Sequence, residues 1–329
     1  MRYRKFGSTN LLVSEIGFGA WAIGGGAMIG NTAIGWGNAN DKESTLAIRR
    51  SLDLGINFFD TADIYGLGHS EQLIGNLLEN KKDVIIATKV GNVSRDEQFT
   101  VDYSKEYILK ACEESLKRLK RDCIDYYQLH SARISHLQQG ECVEAMEQLQ
   151  KQGKIRYWGI SLNTFDPLPE AEFFLRKKIG AGFQLVLNII NQKALPIVKN
   201  ASAAGYGIIA RMPLQFGLLT GKFDKGASFS DNDHRKSRLT DHVIQTTNDS
   251  LRSVWQLCEK YKVNKTQLAL SYALSYDEIS TVIPGIRTAA HAESNTAGLV
   301  KLEKTDRELI EHLGTDSFIP LMEMIQKQG

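Results

Sequence analysis

Asp60, Tyr65, Lys89 and His130 supply a carboxylate, a phenol, an ammonium and an imidazole, each at or just past the carboxyl end of a short apolar run. Asp60 closes the run 56–59, with Tyr65 just beyond it, Lys89 closes 84–88 and His130 closes 124–129. Polar groups leaving the same end of successive strands converge if those strands are parallel neighbours. In a (β/α)8 barrel that end is where active sites are built. The four types form a proton-transfer set suited to carbonyl reduction, which needs a proton for the developing alkoxide. Tyr65 can give that proton. Its unperturbed pKa of about 10 is high for exchange near neutrality, and a nearby ammonium lowers it. Lys89 supplies the charge, Asp60 holds Lys89 through a buried ion pair, and His130 orients the carbonyl oxygen by a hydrogen bond.

Those residues need a scaffold of parallel strands, and the chain reads as one. Strand-length apolar runs at 16–18, 57–59, 84–88, 126–129, 155–160, 183–187, 207–210 and 281–283 alternate with helical periodicity. Helices are predicted at 42–54, 70–78, 104–119, 137–150, 168–176, 195–204, 247–261, 265–276 and 289–298. In 104–119, Ile108, Ala111, Cys112, Ser115, Leu116 and Leu119 recur at three and four, and Ser104 is the N-cap. Strict alternation implies a parallel sheet, and eight units without a composition break imply closure into a (β/α)8 barrel, read as one domain over 1–329. Segments 2–6 and 12–14, around Gly7-Ser-Thr-Asn10, read as a hairpin capping the bottom of the barrel. Segment 22–40, with six glycines and Trp36, and segment 215–241, rich in Ser, Asp and basic residues, are too long for connectors. Both follow strand carboxyl ends and should lie over the site. The tail from Ser317, with Phe318, Leu321, Met322 and Met324, covers either the pocket or the barrel flank.

The formal net charge of +2 argues against a broad nucleic-acid surface. The apolar runs are far shorter than the ~18 residues a membrane span requires, and Met1–Lys5 leads into no apolar signal segment. Cys112, Cys123, Cys142 and Cys258 have no C-x-x-C spacing and read as reduced thiols of a cytoplasmic protein.

The motifs Asn57-Phe-Phe-Asp-Thr-Ala-Asp-Ile-Tyr-Gly66, Ala87-Thr-Lys89, Asp125-Tyr-Tyr-Gln-Leu-His130 and Gly159-Ile-Ser161 resemble the signatures of the aldo-keto reductases. The resemblance runs from Tyr3-Arg-Lys-Phe-Gly7 through Gly17-Phe-Gly-Ala-Trp21 to Val282-Ile-Pro-Gly-Ile-Arg287 and is nearest the bacterial and potassium-channel β-subunit branch. It implies a barrel that binds NADPH without a Rossmann domain and reduces carbonyls reversibly. Tyr65 is then the general acid, tuned by Lys89 and Asp60, and His130 orients the substrate.

No G-x-G-x-x-G follows a strand, so the dinucleotide is expected across the barrel mouth. Ala20, Trp21 and Asp60 join that surface by resemblance, and Ser161 and Gln184 suit the carboxamide. An Asn often follows that Ser in the family; here it is Leu162, with Asn163 one place later. Met212-Pro-Leu-Gln-Phe-Gly-Leu-Leu-Thr-Gly-Lys222 resembles the family's pyrophosphate loop, with Pro213, Leu214, Gly217, Leu219, Gly221 and Lys222 at the cofactor. Arg211 stands where an aromatic ring commonly stacks on the nicotinamide, and a flat guanidinium can stack or bind phosphate. Gly285-Ile-Arg-Thr288 opens a helix, whose N-terminus favours anions. Arg287 is the candidate for the 2′-phosphate, with His291 and Asn295 on one helix face near the adenine. Ser294 and His291 depart from the family's frequent Glu and Gln or Arg.

Trp21, Trp36, Tyr65 and His130 should wall a substrate pocket for small to medium aldehydes. A sugar or polyol dehydrogenase, a cofactor-sensing regulatory subunit and a phosphate-binding isomerase are the competing readings. No metal site is expected.

Overall fold

The strand-length apolar runs do form strands, and the computed structural model, which describes residues 1–224 and 226–328, orders them into one parallel sheet. The strands are β1 (Phe18–Gly19), β2 (Phe58–Asp60), β3 (Ile85–Val90), β4 (Ile124–His130), β5 (Ile155–Ser161), β6 (Gly182–Val186), β7 (Gly207–Arg211) and β8 (Thr281–Ile283). They neighbour one another in sequence order. Parallel bridges Ile16–Val282 and Gly19–Gly285 join the first segment to the last and close a (β/α)8 barrel. Register sets the height of each polar end. Lys89 pairs across to Gln128, His130 to Ser161, Ser161 to Gln184 and Arg211 to Ile283.

Two cores follow from the two faces of the strands. Inside the lower barrel, Phe58, Ile85, Ala87, Tyr126, Ile209 and Ile283 meet Phe6, Leu11 and Val13 of the antiparallel hairpin Tyr3–Lys5/Leu12–Ser14. Phe6 meets Tyr126 edge-on at 4.9 Å. A Cβ on Gly207 would lie 2.5 Å from the Phe6 ring, so this plug needs a glycine there. Outside the barrel, the opposite strand faces (Phe59, Ile86, Tyr127, Leu129) pack on the helices.

The helices are α1 (Asp41–Asp53), α2 (His69–Leu78), α3 (Lys105–Leu119), α4 (Glu141–Lys151), α5 (Leu168–Lys177), α6 (Leu195–Ala203), α7 (Lys265–Leu274) and α8 (Ala289–Thr296). Ser104 caps α3 by accepting from the Tyr107 N–H, and the six expected α3 residues are buried. The helix expected at 137–150 is broken: Ile134–Gln139 precedes α4, with Gly140 between them at φ 90°. The helix expected at 247–261 starts earlier, at Asp241, where Thr240 caps Val243, and it divides into Asp241–Ser250, Arg252–Trp255 and Leu257–Tyr261.

Two small hairpins at the mouth have no counterpart in the sequence reading. Met28–Ile29/Thr32–Ala33 lies inside segment 22–40, and Asn92–Arg95/Gln98–Val101 follows β3. The second turns at Asp96 and Glu97, both at positive φ, as two-residue hairpins demand. The tail covers the flank. Ile319–Lys327 packs on helix Asp241–Ser250, with Phe318, Leu321, Met322 and Ile325 buried. Gly329 of the tail and Lys225 of segment 215–241 lie outside the described residues. Among the described residues no helix is long and apolar enough to cross a membrane.

Candidate active site

The polar strand ends meet above the apolar plug. Lys89 Nζ donates to Asp60 Oδ2 at 2.6 Å, to the Thr61 carbonyl at 2.8 Å and to the Tyr65 hydroxyl at 3.4 Å. Lys89 is fully buried and Asp60 nearly so. Asp60 Oδ1 accepts from Gln184 Nε2 at 2.7 Å and Gln128 Nε2 at 3.1 Å. The carboxylate is thus held on both oxygens, as a buried charge requires. Tyr65 and Asp60 reach the wall of a cavity of about 540 Å³ at the barrel mouth, and Lys89 supports Tyr65 from behind it. The His130 ring stands edge-on to Tyr65, 5.9 Å between centroids.

Burial alone would drive the Lys89 ammonium down, but the charge and hydrogen bond of Asp60, with Tyr65, hold it above the usual lysine range. Tyr65 departs from the expected lowering. Burial raises its phenol, and the charge of Lys89 opposes this without reversing it. The ammonium is engaged by Asp60 and by Thr61, so Tyr65 is held as a protonated donor. Burial, then the charges of Lys89 and Arg211, push His130 well below its ordinary value. Its imidazole is therefore neutral near pH 7, and Nδ1 has no hydrogen-bond partner among the described residues.

A groove runs from these groups toward α8. Ala20, Trp21, Ser161, Gln184, Arg211, Pro213, Leu214, Gly217, Lys222, Gly285, His291 and Asn295 all line the cavity, as do Trp36 and His130. The loop after β7 is shaped by positive φ at Met212, Gln215, Phe216 and Gly217. Asn188 braces it by donating to the Met212 carbonyl and to Gln215 Oε1. Burial, then the nearby cations Lys222 and Arg287, lower the His291 pKa. Thr288 caps α8 by accepting from the His291 N–H.

Several expected contacts are not made by the cavity wall. Leu219 is fully buried in the outer core, and Gly221 faces the Lys265 side chain, so neither lines it. Arg287 also stands off the wall, with Nη1 donating to the Trp36 carbonyl at 3.4 Å. Leu162 is a core side chain. Asn163 does not replace the missing Asn, because its Oδ1 caps the N–H groups of Phe165 and Asp166 at 3.0 Å. Arg211 is anchored by Nη2 donating to the Leu162 carbonyl and to Thr164 Oγ1.

Other wall residues escaped the sequence reading. The hairpins bring Ile34, Asn92 and Phe99 to the cavity, and segment 215–241 brings Phe216, Arg235 and Arg238. The buried His234 ring stacks on Trp21 at 4.5 Å, and Trp21 in turn stacks on Tyr65 at 5.8 Å. Its Nδ1 meets Arg238 Nη1 at 2.5 Å. Segments 22–40 and 215–241 also join through the bridge Trp36–Asp233. Loop residues follow no period, so nothing in their spacing announces these contacts. Gln128 was legible: it alternates with Tyr126 and His130 on the inward face of β4.

A closed (β/α)8 barrel with an Asp-Tyr-Lys-His set at its carboxyl end defines an oxidoreductase class. Residues 15–314 match the aldo/keto reductase family, and the chain belongs to it. Over 316 residues it is 28% identical to the uncharacterized oxidoreductase YqkF of Bacillus subtilis (strain 168), covering 94% of each chain. It is 27% identical to a probable voltage-gated potassium channel subunit beta of Arabidopsis thaliana, covering 90% of each. Among solved structures, the glycerol dehydrogenase AKR11B4 from Gluconobacter oxydans superposes with a TM-score of 0.78 at 26% identity, covering 97% of this chain and 96% of that one. The bacterial and channel-subunit relatives place the chain in the branch expected from its motifs.

Proposed function

We propose that this protein is an NADPH-dependent reductase that converts aldehydes, and ketones, to alcohols, with Tyr65 as general acid. The observation that carries the reading is the Tyr65 hydroxyl, held protonated at the cavity wall against a buried ammonium.

The groove suits a dinucleotide by its donor set. Ser161 and Gln184 offer a hydroxyl and an amide at one end, and Lys222, His291 and Asn295 offer a cation and polar edges at the other. Asn295 Nδ2 and Arg211 Nε are buried without a hydrogen-bond partner among the described residues, which favours an acceptor-rich ligand. Arg287 beside α8 is the choice for a 2′-phosphate, with Lys222 near the pyrophosphate. The nicotinamide supplies a hydride when bound.

The chain's own residues do the rest. His130, neutral, donates a hydrogen bond that holds the carbonyl oxygen near Tyr65. As negative charge develops on that oxygen, Tyr65 gives its proton. The Lys89 ammonium stabilises the phenolate left behind, which makes the donor useful despite its raised pKa. Asp60 keeps Lys89 charged and in place. Trp21, Trp36, Phe99 and Phe216 make the rest of the pocket aromatic, which favours apolar aldehydes.

The test is oxidation of NADPH, and separately of NADH, with a panel of aldehydes by the parent and by Tyr65→Phe. Turnover that requires Tyr65 and prefers NADPH supports the reading; an equally active variant removes Tyr65 as the acid. A second reading, polyol oxidation, is favoured by the glycerol dehydrogenase among the structural relatives. Faster turnover of polyols with NADP⁺ than of aldehydes with NADPH would decide for it.

A further inference from the structure

Gln128 is fully buried one layer behind the cavity wall, and its hydrogen bonds determine a whole network. Asp60, Gln128 and Gln184 come from β2, β4 and β6, the alternate strands that build one layer of a barrel interior. Such layers are ordinarily apolar, so three polar side chains in one must satisfy each other. A carboxylate only accepts, so both amides must turn Nε2 toward Asp60 Oδ1. Gln184 Nε2 then directs its other hydrogen to Gln128 Oε1, 3.1 Å away. Both N–H donors of Gln184 are consumed inside the barrel. What its amide has left for the cavity is Oε1, an acceptor.

We propose that Gln128 is a positioning residue of the cofactor site, fixing the Gln184 amide so that Oε1 faces the groove as a dedicated acceptor for the N–H of a nicotinamide carboxamide. This rests on the reading of the groove as a dinucleotide site. Without the Gln128 oxygen, Gln184 keeps only its bond to Asp60, and its second N–H is free to swing toward the groove, where it displaces the acceptor that a carboxamide N–H needs. Gln128 does not line this cavity, so its effect on the groove passes through the amide of Gln184, with Asp60 as its other partner.

Equilibrium binding tests this without turnover. Fluorescence titration would measure NADPH, NADH and adenosine 2′,5′-bisphosphate, a fragment without nicotinamide, on the parent and on Gln128→Leu. We expect Gln128→Leu to weaken NADPH and NADH by a similar factor, roughly tenfold, and to leave the bisphosphate bound as before. Equal weakening of the bisphosphate, or no weakening of either dinucleotide, overturns the proposal. Gln128→Glu provides a second arm if the leucine variant fails to fold. Burial and the adjacent Asp60 raise the introduced carboxyl's pKa. Protonated, it can donate to Asp60 and accept from Gln184 as the native amide does. NADPH affinity of Gln128→Glu should match the parent at low pH and fall away from it as pH rises. A ratio to the parent that stays constant over the pH range in which carbonyl infrared absorption shows the introduced carboxyl titrating also overturns the proposal. A parent that binds neither dinucleotide would sink the cofactor reading and this one with it, whereas normal parent binding with unresponsive variants would sink this one alone.

Discussion

The Lys89 ammonium lies 3.4 Å from the Tyr65 hydroxyl, yet the phenol is held above its ordinary pKa rather than below it. Desolvation outweighs the cation because Asp60 already engages that cation at 2.6 Å. Tyr65 is therefore a donor that stays loaded. Tyr65→Phe should lower kcat by about 10²–10⁴-fold, the usual contribution of a positioned acid. The affinity for NADPH should change little, and stopped-flow turnover beside equilibrium titration checks both.

The Asp60–Lys89 pair makes a stability prediction. Lys89→Met leaves the Asp60 carboxylate buried with amide donors alone and should cost about 3–5 kcal/mol, the penalty for an uncompensated buried charge. Removing both charges in Asp60→Leu/Lys89→Met should cost less than the two single changes summed. Urea denaturation of the four proteins gives the coupling directly, and additive costs would contradict a paired network.

His130 should titrate far below an ordinary histidine, because burial and the charges of Lys89 and Arg211 oppose its protonation. Nitrogen chemical shifts of the imidazole should report a neutral ring from about pH 6 to pH 8. A midpoint near the reference value of about 6.5 would show that burial and the neighbouring cations do not hold the ring neutral across that range.

His234 makes a prediction about acid stability. Burial pushes its pKa down to about 3, and the charge of Arg238 adds to this. As pH falls below ~6.5 the unfolded chain takes up a proton that the folded chain refuses, so stability falls on acidification. The loss continues until the folded ring also titrates, near pH 3. It amounts to a few kcal/mol by linkage. His234→Phe keeps a ring against Trp21 and should flatten the fall in melting temperature between about pH 6 and pH 4. An unchanged slope would place the acid sensitivity elsewhere.

Arg287 stands off the cavity, but burial and then the charges of Lys222 and Arg287 lower the His291 pKa, so two cations converge at α8. Arg287→Ala should raise KM for NADPH about tenfold or more, as expected for a lost charged hydrogen bond, with a smaller effect on NADH. Equal effects would detach Arg287 from the 2′-phosphate.

What could be read along the chain was whatever repeats or abuts a strand end. The alternation of apolar runs with three-and-four periodicity determined the barrel, since each strand and helix must bury one face locally. Asp60, Lys89 and His130 were legible for the same reason: a polar residue ending an apolar run leaves the barrel at its carboxyl face. The tertiary structure alone decided the rest. Gly140 and Thr240 moved helix ends because caps and left-handed turns act on one or two residues, beneath any periodic signal. Phe99, Phe216 and His234 joined the site through loops, whose partners are chosen by distant segments. The direction of the Tyr65 pKa shift also belonged to the fold, because spacing can bring a cation near a phenol but only packing decides how much water remains around both.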